Sequence, residues 1–218
     1  NSTSGVYGAT GNSSTAMGKQ TTASGNSSTA MGYRTTASAT YSTAMGFLTT
    51  ASGTYSTAMG SNTTASGFSS TAMGYQTTAS TNYSTAMGYL TTASATNSTA
   101  MGHQTTAPTY ASTSIGYYNI GIGTDENGIT TTDALFEIGN GTYATSSNAL
   151  TVLKNGTITA PSFDISEITD TKALITKEYA DANYAGGGGG GTGLESITES
   201  TNPGLAIVGR TAANYGAL

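Results

Sequence analysis

Ser14-Thr15-Ala16-Met17-Gly18-Lys19-Gln20-Thr21-Thr22-Ala23-Ser24-Gly25-Asn26-Ser27 is one unit of a repeat, and its reading decides the fold. The seven methionines of the chain, Met17, Met31, Met45, Met59, Met73, Met87 and Met101, all sit in the phrase Ser-Thr-Ala-Met-Gly, each 14 residues after the last. Two variable residues, Thr-Thr-Ala, usually Ser, and three more variable residues complete the unit. A further, drifting unit starts at Ser112 with Ile115 in place of methionine, and Pro108 stands shortly before it. Self-similarity at a fixed short period signals a repeat architecture, in which each unit buries its apolar face against its neighbours.

The residue types select the kind of repeat. Heptads also divide 14, but a coiled coil needs apolar a and d positions, and Thr pairs and Gly oppose helix. Collagen needs Gly at every third residue. A β-solenoid remains, with two short strands and two corners per coil. Alternation puts Thr15 and Met17 on one strand face and Ser14 and Ala16 on the other. Gly18 is expected to turn one corner. Thr21 to Ala23 form the second strand, with one threonine of each pair facing outward. Triplets such as Gly25-Asn26-Ser27 and Ala39-Thr40-Tyr41 make the return. The expected core is narrow, one methionine and small residues per coil, with Met17, Met31, Met45, Met59, Met73, Met87, Met101 and Ile115 as its repeating element. Coils stacked about 4.8 Å apart give a rod of roughly 35–40 Å. One such coil buries little apolar area, so assembly with identical chains would help stability.

The rest of the composition removes whole classes of function. The chain has 218 residues, no Cys, no Trp and one His, and charged residues are 8%. A disulfide scaffold is excluded, and a zinc site would have to use His103 and carboxylates alone. Six Lys+Arg against eleven Asp+Glu is no basic face for nucleic acid. No stretch approaches the roughly 18–20 apolar residues of a membrane span. There is no Gly-x-Ser-x-Gly elbow and no cysteine nucleophile, and Gly186–Gly191 is followed by Thr192-Gly193 rather than the Lys-Ser/Thr of a P-loop. Asp125-Glu126-Asn127-Gly128 lacks EF-hand spacing and reads as a turn. No catalytic residue, cofactor or metal is expected.

Every Asp and Glu lies at or after Asp125, so the chain changes character near residue 124. The expected organisation is a β-roll over 1–123; a β-rich transition over 124–162, with strands at Ala134–Ile138 and Ala149–Leu153 and a hairpin at Asn155-Gly156; a short helical neck over 163–185; a Gly-rich linker over 186–193; and the start of another module over 194–218. Ile165, Ile168, Ile175 and Tyr179, with Lys172 and Ala182, follow a 3,4 spacing that makes a short coiled-coil-like seam. It is too short to be stable alone and needs a trimer to hold it. Asn1 is not a natural start, and the chain is expected to be a piece of a longer one.

Ser-Thr-Ala-Met-Gly at this spacing resembles the head repeats of trimeric autotransporter adhesins, whose pattern is commonly Asn-Ser-Val-Ala-Ile-Gly. Ser114-Ile115-Gly116 and Ile120-Gly121-Ile122-Gly123 come closest to that text. The resemblance covers about residues 11–123. It implies a left-handed parallel β-roll assembled as a homotrimer, and puts Thr15 and Met17 at the inward Val and Ile positions. Leu150–Gly156, Lys172–Asp181 and Gly209–Gly216 resemble connector phrases of phage tail fibres and related injection-system fibres, which implies a fibre carrying further modules.

The expected fold class is therefore all-β and fibrous, a homotrimeric β-solenoid with a short helical neck. The expected function is structural and adhesive: an extracellular fibre segment, in a phage-like tail fibre or a bacterial surface adhesin, that attaches to a target cell through a surface glycan or protein receptor. No nucleic acid and no membrane insertion are implied. Tyr33, Phe47, Tyr75, Tyr89 and His103 share one variable corner position with Tyr117 and form the candidate binding column; Tyr41, Tyr55 and Tyr83 form another. The alternative is a single-chain solenoid that binds ice or glycans through its threonine columns or these rings.

Overall fold

A computed structural model describes residues 7–160. Each coil contributes a five-residue strand, from Thr15–Lys19 to Thr113–Tyr117, and a two-residue strand, from Gly8–Ala9 to Thr106–Ala107. The short strands stack into one parallel sheet of eight, and the long strands into a second sheet. Because the units are nearly identical, each residue pairs with its own counterpart: Thr71, Ala72, Met73, Gly74 and Tyr75 stand over Thr85, Ala86, Met87, Gly88 and Tyr89. The described residues are all-β, a solenoid of about eight turns, without helix.

The core is built from the smallest residues. Ala30, Ala44, Ala58, Ala72, Ala86 and Ala100 from the long strands face Ala37, Ala51, Ala65, Ala79, Ala93 and Ala107 from the short ones, all fully buried. Ser28 and Thr35 and their counterparts fill the space beside these alanine ladders. This corrects the expected orientation of the long strand. Ser14 and Ala16 mark the inward side, whereas Thr15 and Met17 mark the outward one. Met17, Met73, Met87 and Met101 are exposed, and Met31, Met45, Met59 and Ile115 are partly so. Alternation fixed two faces without saying which was inner. A coil closed in 14 residues brings its sheets too close for methionine, so the side chains that fit between them decide the matter.

The corners also differ from expectation. The Gly18 column lies inside the long strand, with φ near +120°, and the turn falls on the second residue after it. That residue is left-handed in every coil, Gln20, Arg34, Leu48 and Asn62 among them, and so is a second column through Ser27, Tyr41 and Tyr55. The left-handed bend turns the peptide N–H back toward the preceding coil: Arg34 N donates to Lys19 O at 3.0 Å and Tyr41 N to Asn26 O at 2.8 Å. The strand amides bond the other way, as from Thr29 N to Ser42 O at 2.9 Å. The backbone strain of an L residue there, of order 1 kcal/mol, is thus offset by satisfied corner amides.

The long-strand sheet continues past the repeats. Ala134–Asn140 adds in parallel beside Thr113–Tyr117, then Asn148–Leu153 and Ile158–Thr159 add antiparallel, the last two joined around Asn155-Gly156. Among the described residues the short-strand sheet has no such extension, and side chains close its edge. Asn119 Oδ1 accepts from Thr106 N at 2.7 Å, and its Nδ2 donates to Thr106 O at 2.8 Å, so one amide imitates a pairing strand. The neck seam Ile165, Ile168, Ile175 and Tyr179, the linker and the closing module lie outside the described residues. Among the described residues no helix is long and apolar enough to cross a membrane.

Candidate binding surfaces

Two surfaces of the solenoid are unlike the rest. The first is the outer face of the long-strand sheet. Its axial rows are threonines and methionines, and both rows run on without a break in register. Met101 pairs with Ile115, Ile115 with Ile138, and Ile138 with Leu150. Thr113 pairs with Phe136, Phe136 with Val152 and Val152 with Ile158. The face is apolar in its middle row, Lys19 is the one charged residue of its repeat strands, and its outward residues are partly to fully exposed in a single chain. A continuous apolar patch of this kind marks an interaction surface.

The second surface is the corner that follows the long strand. Tyr33 stacks on Phe47 with centroids 5.4 Å apart, and Lys19 Nζ sits 5.8 Å from the Tyr33 centroid. Ser61 and Asn62 interrupt the column. It resumes with Tyr75 stacked on Tyr89 at 5.1 Å, then His103 edge-on to Tyr89 at 4.8 Å. The candidate residues are therefore brought into two groups, Tyr33 with Phe47 and Tyr75 with Tyr89 and His103. Tyr117 pairs with His103 in the sheet, but the ring against His103 is that of Tyr118, at 5.1 Å. Beyond it Tyr143 meets Tyr118 at 6.5 Å. On the opposite corner Tyr41, Tyr55, Phe68 and Tyr83 form a second ladder with centroids 5.1 to 5.6 Å apart.

Sequence reasoning missed Tyr118, Tyr143 and Phe68. The doublet Tyr117-Tyr118 was a visible signal, since both variable residues of a unit lie at the corner. Phe68 stands one place off the tyrosine column and Tyr143 lies outside the period, so neither carries a repeat signal.

The buried polar cluster at the end of the solenoid is structural. Glu137 occupies the inward row, next in register to Ser114, and is fully buried. Its Oε1 accepts from Ile122 N at 3.0 Å and Asn148 Nδ2 at 2.7 Å, and its Oε2 from Asn119 Nδ2 at 2.7 Å and Ser114 Oγ at 3.2 Å. Asp133 and Lys154 form a buried ion pair at 3.8 Å, an electrostatic contact too long for a hydrogen bond. Among the described residues no group of three or more His, Asp or Glu is placed to hold a metal ion.

Stacked parallel coils, an alanine core and an outer sheet with an apolar row define the class of parallel β-solenoids. Residues 9–35, 37–63, 65–91 and 93–119 each match the YadA head domain repeat in its two-copy form. The repeat array, about half of the chain, belongs to that family. A comparison with curated proteins finds no match. The family is one of structural adhesins.

Proposed function

We propose that this chain is the shaft or head of a homotrimeric, extracellular attachment fibre, with no catalytic step. The observation that carries the reading is the unbroken apolar row from Met17 to Leu150 on the outer sheet. Three copies docked through this face would bury the methionines that a single coil is too narrow to enclose. Methionine suits such a seam because its unbranched thioether adapts to a neighbour's surface. Residues 1–124 carry only Lys19 and Arg34 as charged groups, so beyond the first coils identical faces approach without like-charge repulsion. YadA-like adhesins are homotrimers exposed at the cell surface, which supports both the assembly and the location. The mechanism is reach, stiffness and threefold avidity for a surface receptor, with the aromatic corners at Tyr33, Phe47, Tyr75, Tyr89 and His103 as the contacting columns.

Light scattering on a sizing column tests the assembly. A mass of three chains with early, elongated elution is expected, and a monomer overturns it. The second reading, a single-chain ice binder, draws on the outward threonine row through Thr22, Thr36 and Thr50, which pair in register on the short-strand sheet. Thermal hysteresis by a monomer would favour that reading instead.

A further inference from the structure

The resumed corner ladder ends in an open groove of about 600 Å3, lined by Tyr89, Leu90, His103, Gln104, Tyr118 and Tyr143. Leu90, Gln104 and Tyr118 are successive left-handed corner residues, with φ of 56°, 50° and 48°. They are held in line by Gln104 N donating to Tyr89 O at 2.8 Å and Tyr118 N to His103 O at 3.0 Å. The far wall is Tyr143, on the loop between the strands Ala134–Asn140 and Asn148–Leu153. Its side chain is 89% exposed. The loop is nonetheless fastened at both ends to the same corner, by Gly141 N to Tyr117 O at 3.1 Å and Ser147 N to Tyr118 O at 3.0 Å. Thr142 and Thr145 close it by a reciprocal pair of backbone hydrogen bonds. The groove is therefore preformed, and it lies wholly within one chain.

Its chemistry narrows the ligand. The lining offers ring faces and one aliphatic side chain, together with phenol hydroxyls, an amide and an imidazole that donate and accept. It contains no Lys, Arg, Asp or Glu. An anionic ligand would find no lysine or arginine there, since the repeat array's own, Lys19 and Arg34, stand in the first coils. Apolar faces with a few convergent neutral polar groups suit a ligand having both a C–H face and hydroxyls. The volume falls within the roughly 300–1,000 Å3 of small-molecule sites.

We propose that this groove binds a neutral oligosaccharide, with one pyranose ring against Tyr118 and Tyr143 and its hydroxyls bonded to Gln104 and His103. The proposal rests on the attachment reading and names the class of receptor for it.

The test uses the 218-residue chain. An array of maltotriose, cellotriose and lacto-N-tetraose is probed beside sialyllactose and a heparin tetrasaccharide. Titration calorimetry is then run on the best neutral sugar. Tyr143→Ala and Gln104→Ala are expected to weaken that sugar by about tenfold or more, the scale of one lost stacking or hydrogen-bonding contact. Ile129→Ala, a 74% exposed control outside the groove, should leave it unchanged. Tyr143 packs on no core residue, so its truncation leaves the solenoid folded; circular dichroism checks this. Binding confined to the charged sugars, binding that both groove variants leave intact, or no binding to any neutral sugar on the array overturns the groove assignment. None of these outcomes touches the trimer, which stands or falls on the solution mass.

Discussion

Thr63 sits in the core with its hydroxyl buried and without a hydrogen-bond partner, as do Thr35, Thr49, Thr77, Thr91 and Thr105. Desolvating a hydroxyl without a partner costs of order 1–3 kcal/mol, while the β-branched shape fills the space beside the alanines. Thr63→Val keeps that shape and removes the polar atom. It is expected to stabilise the solenoid by about 1 kcal/mol, read as a higher midpoint in guanidinium unfolding; a lower midpoint would show that the hydroxyl is bonded after all. Gly60 makes the opposite case. Its φ is +121°, and an added Cβ would run into the carbonyl oxygen of Gly74 in the next coil. Gly60→Ala is expected to lose about 2–4 kcal/mol through strain and the opened coil contact, by the same unfolding measurement.

The element that closes the solenoid is polar, because the last coil leaves a sheet edge that would otherwise stay unpaired. Glu137 is its centre, a buried carboxylate with four donors and no buried cation among its hydrogen-bond partners. Glu137→Ala leaves Ile122 N without this acceptor and strips the side-chain amides of Asn119 and Asn148 of their shared one. A loss of about 3 kcal/mol or more is expected. Glu137→Gln keeps the shape but turns one acceptor into a donor facing a donor, so it should fall between the two; equality with wild type would mean that the charge is irrelevant. The neighbouring turn responds to pH. Backbone hydrogen bonds from Gly128 and Asn127, then the Thr130 hydroxyl, hold the Asp125 carboxyl below the ordinary aspartate range. A depressed folded value means that the turn's stabilisation is present above the unfolded value and is lost as pH falls through the folded one. The Gly128 amide resonance is therefore expected to titrate with a midpoint below that of an unstructured aspartate peptide, and a midpoint equal to the peptide's counts against the turn.

At the scale of the whole molecule the alanine core folds one chain, and in the proposed trimer the outer methionine row would be left to assembly. Met59→Glu tests that division, since Met59 stands mid-row on the outer face. A carboxylate buried there without a partner costs several kcal/mol per copy. The expected outcome is monomers on the sizing column with an unchanged β-sheet circular dichroism spectrum. A trimer would move the docking face elsewhere, and an unfolded chain would return methionine to the core. The threonine and methionine rows run in register from Thr15–Lys19 through Phe136 and Ile138 to Val152 and Leu150, the shifts in the last pairing falling on either side of them, so a change at the centre of this face should be felt along its length.

The sequence by itself determined the period, the two strands per coil, their parallel in-register stacking and the Asn155-Gly156 hairpin. Each of these follows from local chemistry repeated at a fixed interval: β-branched alternation, turn residues, and identical neighbours one unit away. The inner and outer faces were settled only by the tertiary structure. Period-2 alternation is symmetric between Ala16 and Met17, and it is the width of the closed coil that admits alanine and expels methionine. The cap and the groove were hidden for a related reason. Asn119, Glu137 and Asn148, like His103, Tyr118 and Tyr143, lie outside the period or far apart in the chain. They meet only because the long-strand sheet continues where the short-strand sheet stops, which brings a following strand and loop over the last coils.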